Sequence, residues 1–234
     1  EGARTDADAE RYFESYKQAI NTVGQNNTAS TVSDAHGISV KLSALHPRFL
    51  ESQRDLCLPK LKEKVLALAE LASHHGLGLS LDAEECSRLE LTLDVFEWLC
   101  DQPSLASWSG LGFVLQAYQK RALEVAIWLT QQAKRRPQGV MVRLVKGAYW
   151  DTEIKIAQQK GLEDYPVFTN KIHSDLSYEA CATTLFSCPR IYCQFATHNA
   201  LTIAQILQFT SDSDHPFELQ KLHGMGDLLY AVVS

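Results

Sequence analysis

Two cations interrupt an otherwise apolar stretch near the middle of the chain. Arg143 lies inside the run Val140–Val145, and Lys146 follows that run directly, ahead of the segment Gly147–Trp150. Burying an arginine or a lysine without a partner is costly, so each cation needs a carboxylate or a ligand. Two alternatives are open, which are a pair of structural salt bridges and an anionic or electron-rich ligand. In the second case, the small residues after Lys146 would let that ligand approach the backbone.

Polar residues also stand at the ends of the other predicted strands. The hydrophobic runs predict strands over Gly37–Leu42, Leu77–Leu81, Gly112–Gln116, Val140–Val145, Ile191–Ala196 and Phe217–Leu222. The polar residues at or after these strand ends are Lys41, Asp82, Gln116, Arg143 with Lys146, Thr197 with His198, and Gln220. A doubly wound sheet would need such residues only at its switch point, whereas a closed (βα)8 barrel gathers all strand ends at one mouth. The pattern therefore favours the barrel.

Helical patterns separate these strands along the chain. They predict helices over Asp6–Val23, Leu58–His75, Leu89–Leu99, Leu123–Arg136, Thr152–Lys160, Ile172–Phe186, Ala200–Phe209 and Asp227–Val233. Asp6 is the expected cap of the first helix, and Gly76 is the expected stop of the second. The alternation predicts an α/β fold and a single domain over residues 1–234. Because six strands are recognised, we expect a (βα)8 TIM-type barrel that is incomplete here, with the first strand truncated and the last βα unit absent.

Composition narrows the class of protein. The chain has 234 residues, 45% of them hydrophobic, which is enough for one large α/β domain. The net charge of −6 and the absence of a basic stripe argue against a nucleic-acid partner. No apolar run approaches the roughly 20 residues that span a bilayer. Six cysteines without a CxxC pair predict reduced thiols in a cytosolic protein that lacks a signal peptide, and no Cys/His cluster predicts a metal site.

Seven segments together resemble one known family. In chain order they are SVKLSALHPRF, LSLDAEE, GFVLQAYQKR, MVRLVKGAYWD, YPVFTNK, FATHNA and LHGMG. They closely resemble the proline dehydrogenase domain of the bifunctional proline utilisation A flavoproteins, over essentially the whole chain. The resemblance implies a (βα)8 barrel that holds FAD at its mouth and oxidises L-proline to Δ1-pyrroline-5-carboxylate. It also implies a quinone acceptor at the membrane, a cytoplasmic protein that associates peripherally with that membrane, and an aldehyde dehydrogenase module in the intact protein.

The resemblance also assigns residues to the site. The implied catalytic residues are Lys41, Asp82, Arg143 and Tyr149. The implied cofactor-binding residues are Asp82, Gln116, Arg143, Lys146, Gly147, Ala148, Tyr149, Trp150, Thr169, Lys171, Thr197, His198 and Asn199. The implied proline-binding residues are Lys41, Asp82, Ala148, Tyr149 and Leu222. Within these sets Arg143 lies near the flavin N5, Thr169 and Lys171 reach the adenine-side nucleotide, and Lys41 and Asp82 form a buried ion pair.

The chain departs from the family pattern at its two ends. The family carries an Arg-Arg-x-x-Glu pattern on its last helix, which grips the proline carboxylate, and the chain ends before it. Glu1-Gly2-Ala3 resembles the end of the family's first strand, whose Glu pairs with one of those arginines. We therefore expect a piece of a larger protein that holds its flavin better than its substrate.

Two other functions remain open from the sequence. Lys41 or Lys146, at a strand end of a barrel, could form an imine in a Schiff-base lyase. A catalytically impaired fragment that only binds flavin is the other alternative, because the carboxylate grip is missing. Tyr118 and Trp128 are assigned to the core. A flavin spectrum with and without proline separates these functions.

Overall fold

The computed structural model describes residues 2–233, so the role predicted for Glu1 lies outside the described residues. The helices are α1 (Asp6–Gln25), α2 (Leu42–Leu45), α3 (Arg54–His74), α4 (Leu89–Cys100), α5 (Ala122–Arg135), α6 (Trp150–Gln159), α7 (Lys171–Phe186), α8 (Ala200–Thr210) and α9 (Asp227–Val233). The strands are β1 (Gly37–Val40), β2 (Gly78–Leu81), β3 (Leu111–Gln116), β4 (Val140–Val145), β5 (Ile191–Ala196) and β6 (Phe217–Gln220).

The described strands form one parallel sheet whose order follows the chain from β1 to β6. In this register Val40 lies beside Leu81, Leu81 beside Phe113, and Ala196 beside Gln220. Every residue of β2 and β3 is buried, as expected of parallel strands covered on both faces. The predicted α/β alternation is therefore confirmed, and parallel pairing brings successive carboxyl ends to the same edge of the sheet.

The chain folds into two compact units. The first unit contains the residues up to Val114 together with Gln132–Met141, and the second contains Leu115–Gln131 together with the residues from Val142 onward. In the first unit the Phe96 and Phe113 rings pack edge to face at 5.1 Å. The second unit has an aromatic core, whose members are Phe186, Phe195, Phe209 and Phe217.

A buried arginine that the sequence did not single out fixes loops of the first unit. Arg136 is 2% exposed, and its guanidinium donates to the carbonyl oxygens of Gly139, Cys100, Leu105 and Trp108 at 2.9–3.2 Å. Burial lowers the pKa of Arg136. These carbonyl oxygens compensate the cost of burying the cation, so its role is structural.

Three local predictions need correction. Thr5, rather than Asp6, caps α1: its hydroxyl accepts from the Asp8 N–H while the Asp8 carboxylate accepts from the Thr5 N–H. Helix α3 begins at Arg54, four residues before the predicted start, and ends at His74, one residue before the predicted end, with Gly76 at φ +65° beyond it. The predicted first strand ends early, because the chain enters α2 immediately after Lys41.

The cysteines are free thiols, and five of the six are buried. Burial raises the pKa of Cys100 to about 12 and that of Cys181 to about 11. These two side chains are therefore protonated and unreactive at neutral pH. Separately, among residues 2–233 no helix has both the length and the apolar character needed to cross a membrane.

Candidate active site

The first unit contains the predicted ion pair at the ends of β1 and β2. The Lys41 Nζ lies 2.7 Å from the Asp82 Oδ2. The two side chains are 32% and 27% exposed, so the expected buried pair is only half-buried. The Asp82 N–H donates to the Val40 carbonyl at 2.9 Å, which continues the parallel pairing by one residue. Parallel pairing therefore sets Lys41 and Asp82 opposite each other.

Two further side chains of the first unit hold this corner. The Tyr16 hydroxyl accepts from the Lys41 N–H at 3.1 Å. Glu84, which is 8% exposed, accepts from the Ser43 N–H at 3.0 Å and pairs with Arg88 at 2.6 Å. Burial raises the pKa of Tyr16, so this hydroxyl stays neutral. Backbone and side-chain bonds thus fix the positions of both strand ends.

The second unit contains a cavity of about 350 Å³ beside the end of β4. Its lining residues are aromatic (Tyr118, Trp150, Phe168), charged (Lys146, Lys171, Asp175) or small (Gly147, Thr169, Ser174). Five of these nine residues belong to the predicted cofactor set. This size and lining are typical of a small-molecule site.

Hydrogen bonds attach the loop before α7 to the chain after β3. The Phe168 N–H donates to the Tyr118 carbonyl at 2.8 Å, and the Trp150 indole N–H donates to the Phe168 carbonyl at 2.9 Å. The Tyr118 N–H in turn donates to the Lys146 carbonyl at 2.7 Å. These bonds hold the YPVFTNK segment, residues 165–171, against the chain after β3. Phe168, Thr169 and Lys171 of this segment line the cavity.

Gly147 makes close packing possible at the start of that cavity. Its φ is +141°, and a Cβ atom there would lie 2.4 Å from the Tyr118 ring. Only glycine meets both conditions, so a side chain at this position would displace the aromatic ring. Tyr118 itself is 3% exposed, so it is a core residue, as predicted, that also lines the cavity.

The cavity carries an excess of positive charge. Lys146 and Lys171 both donate to the Asp175 carboxylate, with 2.5 Å between the Lys146 Nζ and Asp175 Oδ1. Partial burial raises the pKa of Asp175, but the hydrogen bonds from the two lysines outweigh it and hold that pKa below its usual value. Two cations facing one ionised carboxylate leave a net charge of +1, which favours an anionic ligand.

Three predicted residues of the second unit lie on or next to β3 and β4. The Gln116 side chain is 2% exposed, and its Oε1 accepts from the Ala148 N–H at 3.2 Å. Arg143 is half-buried within β4, and Tyr149 occupies the N-cap position of α6 without a capping hydrogen bond from its side chain. Gln116 therefore holds the backbone of the segment that follows Lys146, in addition to any contact with a ligand.

The predicted residues after β5 form a short turn with internal bonds. The Thr197 Oγ1 accepts from the Asn199 N–H at 3.1 Å, and the Asn199 Oδ1 accepts from the Thr202 N–H at 3.0 Å, capping α8. His198 accepts from the Leu222 N–H at 3.0 Å, while the Leu222 side chain is 64% exposed. The side-chain oxygen of Asn199 thus accepts the hydrogen bond that caps α8. The side-chain amide nitrogen is the atom that can donate a hydrogen bond to a ligand.

Sequence reasoning missed several side chains that the structure places at the Lys41–Asp82 pair, in the cavity or, for Tyr230, beside the ends of β5 and β6. They are Glu84 and Tyr16 in the first unit, and Phe168, Ser174, Asp175 and Tyr230 in the second. Asp175 follows Lys171 by one helical turn, and that spacing is a recognisable signal for an ion pair. A single tyrosine or serine in a helix carries no comparable signal.

The chain is also similar to known proteins. A family model described as proline dehydrogenase matches residues 1–234. The chain is 49% identical over 237 residues to the bifunctional protein PutA of Salmonella typhimurium, covering 100% of this chain and 18% of the relative. The chain therefore spans less than a fifth of the length of that curated relative.

Solved structures give the same result. A point mutant of Bradyrhizobium japonicum proline utilization A (PutA) superposes with a TM-score of 0.96 at 52% identity, covering 100% of this chain and 24% of that one. PutA from Bdellovibrio bacteriovorus, inactivated by N-propargylglycine, superposes with a TM-score of 0.89 at 31% identity, covering 97% and 25%. Because the family model extends over every residue, the chain belongs to the proline dehydrogenase family.

Proposed function

We propose that the chain is the L-proline-oxidising part of a PutA-like flavoprotein. The observation that carries this proposal is the match of the proline dehydrogenase family model over residues 1–234. In the reaction, L-proline loses a hydride from its Cδ and a proton from its nitrogen. The resulting C=N bond gives Δ1-pyrroline-5-carboxylate. FAD, when bound, would supply the acceptor for the two electrons of the hydride, and a quinone would be the final acceptor.

The second unit supplies residues that fit FAD. FAD combines a flat aromatic ring system with a diphosphate, and the cavity combines aromatic side chains with a net positive charge. Lys146 and Lys171 would hold the anionic part, together with Thr169. Gly147 and Ala148 present little side chain, so a ligand can approach their backbone. FAD supplies the hydride acceptor, and these residues bind and orient it.

The remaining cofactor residues would act on the reacting ring. Arg143 would place a fixed cation near the flavin N5, where reduction adds electron density. Gln116, Tyr149 and Trp150 would contact the ring system, and Thr197, His198 and Asn199 would contact FAD from the turn after β5. The hydrogen bond from the Ala148 N–H to the Gln116 Oε1 supports these contacts, because it fixes the backbone that the ring system would approach.

Lys41 and Asp82 would act on the substrate side. The pair is half-buried and held by backbone bonds, so it presents fixed charges rather than mobile ones. Asp82 would also reach the cofactor, while Ala148, Tyr149 and Leu222 would complete the contacts with proline. Charges that are already in place cost no reorganisation during the reaction.

We also propose the complete fold, the second catalytic module and the electron acceptor of the intact protein. The strand–helix alternation fits a closed (βα)8 TIM-type barrel over one domain. The PutA relatives are bifunctional, so an aldehyde dehydrogenase module in the same protein would consume the product. A quinone at the membrane would take the electrons, which requires a cytoplasmic protein in peripheral contact with that membrane.

The test is the visible spectrum of the purified 234-residue chain, with and without L-proline. We expect flavin bands that bleach when proline is added, and irreversible bleaching with N-propargylglycine, which inactivates the Bdellovibrio relative. Flavin bands that do not respond to proline would indicate a fragment that only binds flavin. A borohydride-trapped adduct without flavin would support the Schiff-base alternative and overturn the proposal.

A further inference from the structure

The LHGMG segment after β6 is built around a histidine of the turn after β5. The Leu222 N–H donates to the His198 Nε2 at 3.0 Å. The turn then closes on itself, since the Met225 N–H donates to the Leu222 carbonyl at 3.1 Å. Its two glycines, Gly224 and Gly226, have φ angles of +75° and +69°. The segment therefore folds back toward the imidazole that it contacts.

Gly226 packs directly against that imidazole. A Cβ atom at this position would lie 3.1 Å from the His198 Cδ2 and 3.6 Å from the Tyr230 Cδ2. At Gly224, by contrast, a Cβ atom would meet nothing within 4 Å. Both glycines are needed for their positive φ, but only Gly226 is also needed to leave room for the ring.

Tyr230 connects the same two strand ends. Its hydroxyl lies 2.8 Å from the Thr197 carbonyl oxygen and 2.5 Å from the Gln220 carbonyl oxygen. These carbonyls stand at the ends of β5 and β6, one residue before His198 and two before Leu222. Partial burial raises the pKa of Tyr230, so its hydroxyl keeps the proton that it shares between them. The phenol thereby holds the donor and acceptor of the histidine bond in register.

The direction of the histidine bond fixes its tautomer. A backbone N–H can only donate, so the His198 Nε2 must accept and carries no proton. The neutral imidazole then has its proton on Nδ1. A histidine held in this form offers a donor at Nδ1, whereas the other tautomer would offer an acceptor.

We propose that residues 222–226 and Tyr230 form a clamp that holds His198 as the Nδ1–H tautomer, so that it donates a hydrogen bond to the bound cofactor. Gly226 and Tyr230 are positioning residues, because they act through His198. The final step rests on the proposed function, since it requires His198 to lie beside FAD. The tautomer itself does not depend on that function.

Nitrogen NMR of the chain labelled with ¹⁵N-histidine tests the clamp. Flavin is first removed, so that the spectrum reports on the protein alone. The His198→Asn variant identifies which signals belong to His198. We expect a protonated Nδ1 and an unprotonated Nε2 at neutral pH. A protonated Nε2, or a mixture of tautomers, would overturn the clamp whether or not the chain oxidises proline.

Two glycine variants separate crowding from backbone strain. Gly226→Ala and Gly224→Ala impose similar strain, but only the first places a methyl group against His198. We expect mixed tautomers in Gly226→Ala and the wild-type tautomer in Gly224→Ala. If both variants change the His198 tautomer equally, Gly226 serves only the backbone conformation of the turn, and the clamp is contradicted.

Tyr230→Phe provides a milder variant, because it removes only the hydroxyl. We expect the chain to fold, with flavin retention reduced about fivefold, the equivalent of one ordinary hydrogen bond. Titrating the wild-type chain with FAD should shift the His198 Nδ1 signal. If FAD binds and that signal stays constant, the donor role is wrong; if FAD does not bind at all, the proposed function fails while the tautomer result still stands.

Discussion

The strand-end cations of the two units differ in their balance of charge. In the first unit Lys41 pairs with the Asp82 carboxylate, and this pair is neutral. In the second unit Lys146 and Lys171 share Asp175, which leaves one positive charge over. A neutral fixed pair orients a polar substrate, whereas an excess cation attracts an anion. The difference supports a substrate role for the first group and a role in binding the anionic part of FAD for the second.

The two groups also differ in how they are held. Lys41 and Asp82 are joined to the sheet by backbone bonds, including those from the Lys41 N–H to Tyr16 and from the Asp82 N–H to Val40. The cavity cations depend on a helix and a loop, and the Lys171 side chain is 70% exposed. Solvent weakens such exposed ion pairs, so the lysines can exchange Asp175 for an anionic ligand at a small cost in free energy.

Removing the carboxylate of the first group should have the largest effect. Asp82→Ala removes the carboxylate that pairs with Lys41. Losing that charge from the proposed substrate group costs roughly 2 kcal/mol or more in substrate interactions, or about 30-fold. We expect proline-driven flavin reduction to slow by at least that factor. Stability should fall by less than the 3–5 kcal/mol typical of fully buried pairs, because this pair is half-buried. Stopped-flow absorbance and denaturant unfolding measure the two effects.

Asp101→Ala is the matched control for this variant. Asp101 pairs with Arg135 in the same unit but lies on the surface. Its removal should leave proline turnover unchanged. Wild-type proline turnover in Asp82→Ala would show that Asp82 does not act on the substrate. It would contradict the substrate role given to the first group.

Removing one cavity cation should have the next largest effect. Lys146 is the better buried of the two lysines, with a side chain 26% exposed. Lys146→Met should weaken FAD binding by about 1.5 kcal/mol, or roughly tenfold, and the loss should shrink at high salt. Lys160→Met, an exposed change at the end of α6, serves as the control. Equal FAD affinities in the two variants would argue against an anion site.

Arg143→Met tests the cation within β4. We expect weaker flavin binding or a lower flavin potential, because a positive charge near N5 favours the reduced ring. Potentiometric titration of the flavin and its retention on a desalting column are the measurements. Full FAD occupancy with an unchanged potential would make Arg143 a structural residue.

The smallest effect should appear as a pH dependence at Asp175. Its pKa is lowered in the folded chain, so its pairing stabilises the protein above the unfolded pKa of about 3.9 and is lost as the pH falls through the folded value. Asp175→Asn should therefore be less stable than the wild type near neutral pH. The difference should vanish in acid, as measured by denaturant unfolding at a series of pH values. A constant difference would contradict the ion pairing.

The element order and the Lys41–Asp82 pair could be predicted from the sequence. The element order rests on hydrophobic runs that mark the strands. The Lys41–Asp82 pair was implied by the family resemblance. The Lys171–Asp175 spacing signals an ion pair on a helix, but Asp175 was missed as a site residue because Lys146, its other partner, lies 29 residues away in the sequence. The Thr5 cap was missed because Asp6 is an equally good capping residue. Arg136 was missed because its carbonyl partners come from three separate segments.

The most direct test compares Lys41→Met with Lys146→Met in one set of titrations. Each chain is stripped of flavin, titrated with FAD, and then mixed with L-proline while the flavin bands are followed. We predict that Lys41→Met binds FAD like the wild type but is reduced slowly by proline. Lys146→Met should bind FAD roughly tenfold more weakly, yet be reduced at a near wild-type rate once saturated. An equal loss of FAD affinity in both variants would contradict the division of roles between the two groups.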